Sequence, residues 1–209
     1  MTRLIKRGAE ADILLGKWRD IQAIFKVRKS RKYMHPELDD LLRSQRTLRE
    51  AELIKEAKDN GVRCPRLYFV NLEDSTIIME YVKGPRLKDV SDEGNTNLFG
   101  IMGNMLGKLH RSGIIHGDPT TSNFILYGDE LVVLDFGLSF RSNTIEDRAV
   151  DLHLVKEVLS GDDPLEFRRK YAKFLEGYKV GFGTASDETI GRVKQIEKRG
   201  RYARSSWGE

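Results

Sequence analysis

The sequence predicts an α+β protein of two lobes, a small antiparallel β-sheet lobe with one main helix followed by a reduced, mostly helical lobe. Two observations carry this. Short runs of alternating apolar residues crowd the first part of the chain, broken by one long stretch of helical period. After a polar linker bearing Gly and Pro, the pattern turns almost wholly helical. The expected division is 1–84 for the sheet lobe, 85–199 for the helical lobe and 200–209 for a basic, aromatic tail.

Taken in order, runs near residues 3–6, 11–15 and 20–27 read as strands, with turns at Arg7-Gly8 and Gly16-Lys17. "HPELDDLLRSQRTLREAELIKEAKDNG" reads as a long helix, with Pro36 near its start and Gly61 just past its end. On that helix Glu50 shares a side with Leu53, Ile54 and Ala57. "RLYFVN" and "TIIMEYV" follow as strands, with "LEDS" as their turn, so the first lobe reads β-β-β-α-β-β. "KGPRLKDVSDEGN" reads as a hinge, "LFGIMGNMLGKLHRSG" as a helix and "LVVLDFG" as a strand running into a glycine turn. From "IEDRAVDLHLVKEVLSG" onward the chain reads helical, with breaks at "GDDP" and around "GFGTASDE".

Composition excludes several classes. The 209 residues are enough for a sizeable core, and the charged and apolar shares are those of an ordinary globular chain. Cys64 is the only cysteine, so an intrachain disulfide and a cysteine zinc site are excluded, and the four His show no metal-ligand spacing. The N-terminus lacks the apolar run of a signal peptide and no window is apolar for long enough to span a bilayer, which makes the cytoplasm the expected compartment. The net charge of +4 is concentrated in "KVRKSRK" (26–32) and "RVKQIEKRGRYAR" (192–204), clusters suited to a phosphate backbone or to solvent.

The chemistry lies in "IIHGDPTTSNFIL". His116, Gly117 and Asp118 are followed by Asn123 in an H-G-D-x-x-x-x-N spacing, and Asp135-Phe136-Gly137 comes at the end of the next strand. Alone, each Asp or Asn is an ordinary turn former. Together, in this order, they fit Mg-ATP chemistry, which needs metal to neutralise phosphate charge and a carboxylate to orient the attacking oxygen. Asn123 and Asp135 are the expected Mg²⁺ ligands, since that ion takes hard oxygen donors and keeps waters. Asp118 is expected to hold the acceptor hydroxyl or water and take its proton, facing the terminal phosphate from the side opposite Asn123. Lys26, at the end of "AIFK", can pin the α- and β-phosphates, with Glu50 as its ion-pair partner and Glu52 and Glu56 as alternatives. In "MEYVKG", backbone groups of Glu80 and Val82 could meet an adenine edge, with Met79 lining the pocket.

These motifs resemble the protein-kinase fold across most of the chain. The finer pattern, "RGAEAD", "KVRKSRKYMHPELD", "HGDPTTSNFIL", "LDFGLS", "EDRAVDLHLVKE" and "RGRYARSSWG", is similar to the small atypical serine/threonine kinase and ATPase subunit of the KEOPS (EKC) complex. The resemblance implies ATP and Mg²⁺ as cofactors and a part in threonylcarbamoyladenosine modification of tRNA. It also implies contact with a Kae-type catalytic subunit and a small Cgi-type subunit. Gly8, Ala9 and Glu10 stand where such a fold covers the phosphates, but with one glycine where a protein kinase has three. Gly117 replaces the Arg that usually precedes the catalytic Asp, which argues against activation by loop phosphorylation. No A-P-E follows Gly137 and the segment to the next helix is short, so ATP hydrolysis, autophosphorylation or action on one docked partner is expected. Asp151 is expected to hydrogen-bond backbone N–H groups around His116 and Gly117, whereas His110 reads as packing. Arg192, Lys194, Lys198, Arg199, Arg201 and Arg204, with Tyr202 and Trp207, suit RNA, and Ser205 and Ser206 are candidate acceptors. The rival readings are a RIO-type kinase of ribosome assembly, a small-molecule kinase of the aminoglycoside type, for whose insertion there is no room, and a scaffold that has lost catalysis.

Overall fold

The five strands of the first lobe are built around a short hydrogen-bonded hairpin series. The computed structural model describes residues 2–31, 34–90 and 95–205, so Lys32 of the first basic cluster, the end of the linker, Ser206 and Trp207 lie outside the described residues. Strands β1 (Arg3–Arg7), β2 (Ala11–Trp18) and β3 (Ile21–Arg28) precede helix α1 (Pro36–Asp59), and β4 (Leu67–Asn71) and β5 (Thr76–Glu80) follow it. All neighbours pair antiparallel, in the order β1-β2-β3-β5-β4. The β-β-β-α-β-β order is as expected.

One turn is displaced. The chain runs straight through Gly16-Lys17 and reverses at Arg19-Asp20, which have φ of 46° and 67°. Two consecutive residues in the left-handed region make the tight hairpin loop whose twist matches the flanking strands. Gly16 instead pairs with Ala23 inside the ladder. A Cβ there would lie 2.9 Å from the Phe25 ring, so this glycine serves close packing within a strand rather than a turn.

In α1, Pro36 occupies the first turn, where its missing N–H costs nothing, and Gly61 at φ +72° follows the C-cap. Glu50, Leu53, Ile54 and Ala57 are all buried on one face, as their spacing predicts. The linker is pinned rather than free. Leu126 N–H donates to Pro85 O at 2.9 Å, and Arg86 forms a bridge with Ile125.

The second lobe comprises α2 (Asn97–Arg111), β6 (Ile114–Ile115), β7 (Phe124–Tyr127), β8 (Glu130–Val133), β9 (Phe140–Arg141), α3 (Ile145–Leu159), α4 (Pro164–Phe182) and α5 (Ser186–Ser205). Thr144 and Asp163 cap α3 and α4, each accepting from a first-turn backbone N–H. Helix α5 runs through Ser205, past the expected boundary at residue 199. One apolar cluster spans both lobes, joining Leu53 and Ile54 of α1 to Met102, Phe136, Leu152 and Phe174. That continuity fixes α1 relative to the segment carrying Asp135. Among the described residues no helix is long and apolar enough to cross a membrane.

Candidate active site

The loop after β6 is held from beneath by a buried carboxylate. Asp151, on α3, is fully buried and accepts from His116 N–H at 2.7 Å and from Gly117 N–H at 3.0 Å, the contact expected of it. Gly117 has φ +81°, and a Cβ there would stand 2.5 Å from Leu138 O. An Arg at this position would meet both obstacles, which explains the glycine physically. His116 is buried beside Phe124 and Phe136, with ring centroids 6.4 and 5.4 Å away. Its Nδ1 accepts from Asp118 N–H at 3.2 Å, so Nε2–H donates to Leu134 O at 3.0 Å.

His110, which the sequence reads as packing, joins this support together with Tyr178. His110 Nε2 meets Asp151 Oδ2 at 3.1 Å, and its Nδ1 meets the Tyr178 hydroxyl at 3.0 Å. Burial lowers the pKa of His110 below its ordinary value, against the opposing pull of Asp151. The neutral ring therefore donates from Nε2 to Asp151 and accepts the Tyr178 O–H at Nδ1. No local spacing signals this chain of contacts, because its members come from α2, α3 and α4.

Above the support, a short 3-10 turn at Thr121–Asn123 aims Asn123 back at Asp118. Asn123 Nδ2 donates to both the backbone oxygen and Oδ2 of Asp118, at 2.8 Å each. The two side chains are thus adjacent, and the expectation that they flank the reacting centre from opposite sides is corrected. With Nδ2 engaged, Oδ1 of Asn123 is the oxygen left to meet a ligand. Leu134 N–H donates to Asn123 O at 2.7 Å, which ties this turn to the strand end before Asp135.

Asp135 adopts φ +57°, an unusual backbone state for a non-glycine residue and one often found at functional sites. Its Oδ1 accepts from Lys26 Nζ at 2.6 Å and from Gly137 N–H at 3.2 Å. Lys26 Nζ also meets Glu50 Oε1 at 2.5 Å, so one ammonium joins β3, α1 and the segment after β8. Burial alone would lower the pKa of Lys26, but the carboxylates of Glu50 and Asp135 outweigh it and hold the pKa above its ordinary value. For Asp135, burial pushes the carboxyl up, and the charge and hydrogen bond of Lys26 with the Gly137 N–H outweigh that and lower it. The choice among glutamates is decided: Glu52 is exposed and Glu56 pairs with Arg141 at 2.7 Å. The sequence reading missed Arg28, whose Nη2 meets Glu50 Oε2 at 2.6 Å.

Between the lobes lies a solvent-open cleft of about 180 Å³, with Lys26, Asn123 and Asp135 at its polar end. Met79, Glu80 and Val82 line it at the linker, and Ile13, Ile24 and Ile125 supply apolar walls. On the β1 side its lining comes from Ile5 and Lys6 rather than from Gly8, Ala9 and Glu10. Glu10 turns instead to Arg46 and Arg31, at 2.7 and 3.0 Å. Among the described residues no group of three or more His, Cys, Asp or Glu forms a ready-made metal site. Asn123 Oδ1 and the half-exposed Asp135 carboxylate offer two hard oxygens beside the cleft, which fits Mg²⁺, an ion that completes its shell with water and phosphate.

Comparison with known proteins agrees with this fold. A family model for the RIO domain matches residues 18–150. The KEOPS complex subunit Bud32 of Pyrococcus abyssi (strain GE5 / Orsay) is 38% identical over 216 residues, covering 98% of this chain and 98% of that protein. A probable bifunctional tRNA threonylcarbamoyladenosine biosynthesis protein of Methanobrevibacter smithii is 42% identical over 199 residues. That match takes in 95% of this chain and 36% of the relative, so the chain spans about a third of its length. A Rio2 kinase–ADP/Mg2+–phosphoaspartate complex from Chaetomium thermophilum superposes with a TM-score of 0.64 at 16% identity, over 95% of this chain and 72% of that one. The expected α+β, kinase-like fold is thus present, and the RIO domain is common ground between the preferred reading and its nearest rival. The chain belongs to the family of RIO-domain proteins that includes the KEOPS subunit Bud32.

Proposed function

We propose that this chain carries out Mg-ATP-dependent phosphoryl transfer, as an ATPase and autophosphorylating serine/threonine kinase, and serves as the regulatory subunit of a KEOPS-type complex that modifies tRNA. The observation that carries the reading is the Lys26 ammonium shared by Glu50 and Asp135 across the two lobes. Lys26 would hold the α- and β-phosphates, with Glu50 keeping the ammonium in place. Met79, Glu80 and Val82 would receive the adenine. Asn123 Oδ1 and Asp135 would hold Mg²⁺, which supplies charge neutralisation on the phosphate oxygens. Asp118, fixed by Asn123 Nδ2, would orient the acceptor oxygen and take its proton.

The acceptor side favours water, the chain itself or one docked partner. After Gly137 the chain pairs β9 with β6 and enters α3 at Ile145. That leaves little surface on which a free peptide could lie. Similarity to a KEOPS subunit supports contacts with Kae-type and Cgi-type subunits, and the Lys and Arg residues in the sequence of α5 support contact with tRNA.

The test is ATP hydrolysis by the full chain with Mg²⁺, alone and with tRNA and the catalytic subunit. Asp135→Ala and Asp118→Ala are each expected to lower turnover by about 10²-fold or more. Unchanged turnover in Asp135→Ala, with the variant folded, would refute the reading. Removing residues 201–209, beyond the Arg199–Glu146 ion pair, should weaken tRNA-dependent turnover and leave basal turnover in place.

A further inference from the structure

Glu50 is held by two buried cations, and only Lys26 has a part in the reading above. Arg28 lies two residues further along β3 on the same side of the strand, with its side chain 4% exposed. Its Nη2 meets Glu50 Oε2 at 2.6 Å, while Lys26 takes the other oxygen, Oε1, at 2.5 Å. The guanidinium's other arm, Nη1, reaches Glu10 Oε2 at 3.5 Å. Glu10 is in turn gripped through Oε1 by Arg46 of α1 at 2.7 Å and by Arg31 at 3.0 Å. The β1–β2 turn, β3 and α1 are thereby joined through one guanidinium. The same Nη2 also stands close to the Gly137 turn, 3.8 Å from where a Cβ on that glycine would be.

We propose that Arg28 is a positioning residue, which holds Glu50 Oε2 so that Oε1 stays on Lys26, and which couples that ion pair to the β1–β2 turn through Glu10. The proposal rests on the reading of Lys26 as the phosphate-holding lysine and deepens it. A planar fork suits this task, because one group has to satisfy two carboxylates in different directions, which a lysine's point charge does not. It also accounts for an ordered Lys26–Glu50 pair in a chain whose Gly117 supplies no arginine to read a phosphorylated loop. Here α1 is tied to β3 through Arg28 instead.

The direction of one measurement separates positioning from simple charge removal. In Arg28→Met, a Glu50 that stayed on Lys26 would leave that amine as shielded from reagent as in the parent. If Glu50 is instead released, Lys26 loses the carboxylate that clasps it from α1 and is opened to reagent. The experiment is brief acetic anhydride labelling of the folded full chain without nucleotide, read at Lys26 by peptide mass spectrometry. Lys170, also buried, serves as the control for general loosening.

The expected result is a rise of about three- to tenfold at Lys26 with Lys170 unchanged. ATP turnover should fall about tenfold with KM for ATP altered less than about threefold, as for a misplaced catalytic group. Arg28→Lys, the variant to use if Arg28→Met does not fold, should show the same changes at smaller size. Lys26 labelling that is unchanged or lower, or that rises together with Lys170, would overturn the proposal. Absence of ATP turnover in the parent chain would instead sink the proposed function, and the labelling arm would still decide the role of Arg28.

Discussion

Replacing Asp151 by Ala removes the acceptor under the loop at His116 and Gly117 without touching any group that lines the cleft. Three donors converge on this carboxylate: the N–H groups of His116 and Gly117 at 2.7 and 3.0 Å, and His110 Nε2 at 3.1 Å. Hydrogen bonds to a charged group contribute about 1.5–3 kcal/mol each, and their sum is an upper bound because the loop relaxes when the acceptor goes. Breaking a buried charged contact by deleting one partner costs about 3–5 kcal/mol. An expected destabilisation of about 4 kcal/mol follows, or a fall in Tm of roughly 8–16 °C for a domain of this size. Asp151→Asn keeps one accepting oxygen but turns an amide NH₂ toward a donor, and about half that loss is expected. Urea unfolding of the three proteins measures the energies, and ATP turnover of the folded fraction measures loop position, with a fall of about 10²-fold expected for Ala. Losses below about 1 kcal/mol in both variants, or unaltered turnover, would refute the reasoning.

The buried neutral state of His110 sets a pH dependence. Its folded pKa lies below the ordinary value of 6.5, so the unfolded chain binds the extra proton first. Its contribution is therefore fully present above pH 6.5 and is lost as pH falls through the folded pKa, by at most about 1.4 kcal/mol per pH unit. Unfolding at pH 7.5 and at pH 5.5, chosen as about one unit either side, should show a larger acid loss in the parent than in His110→Asn; equal losses would contradict it. Gly117→Ala combines a left-handed backbone with a Cβ 2.5 Å from Leu138 O, and should cost about 2–4 kcal/mol. A urea midpoint equal to that of the parent would count against that account. In Glu50→Gln, Lys26 keeps Asp135 but loses its charged partner on α1, so ATP turnover should drop by about tenfold or more; an undiminished rate would count against the role of the pair.

The features legible along the chain are local in kind. Strand and helix periods, the proline and glycine bounds of α1, the apolar face carrying Glu50 and the spacing of Asp118, Asn123 and Asp135 depend on residues within one element or one loop. These features appear where their periods placed them. Gly16 misled because a glycine that permits a turn and a glycine that admits a neighbouring ring look alike in one dimension. Register with Ala23 and the position of Phe25 distinguish them.

Selection among equivalent charges required three dimensions. Glu50, Glu52 and Glu56 are chemically the same, and packing decides that the first is buried against Lys26 while the last meets Arg141. Arg28 looked like one more member of a basic run until folding buried it against Glu50. His110, Asp151 and Tyr178 come from three helices, and only their close packing turns a histidine of ordinary context into part of the loop's support. Low local polarity makes each such contact obligatory once formed, and no pattern along the chain carries that information.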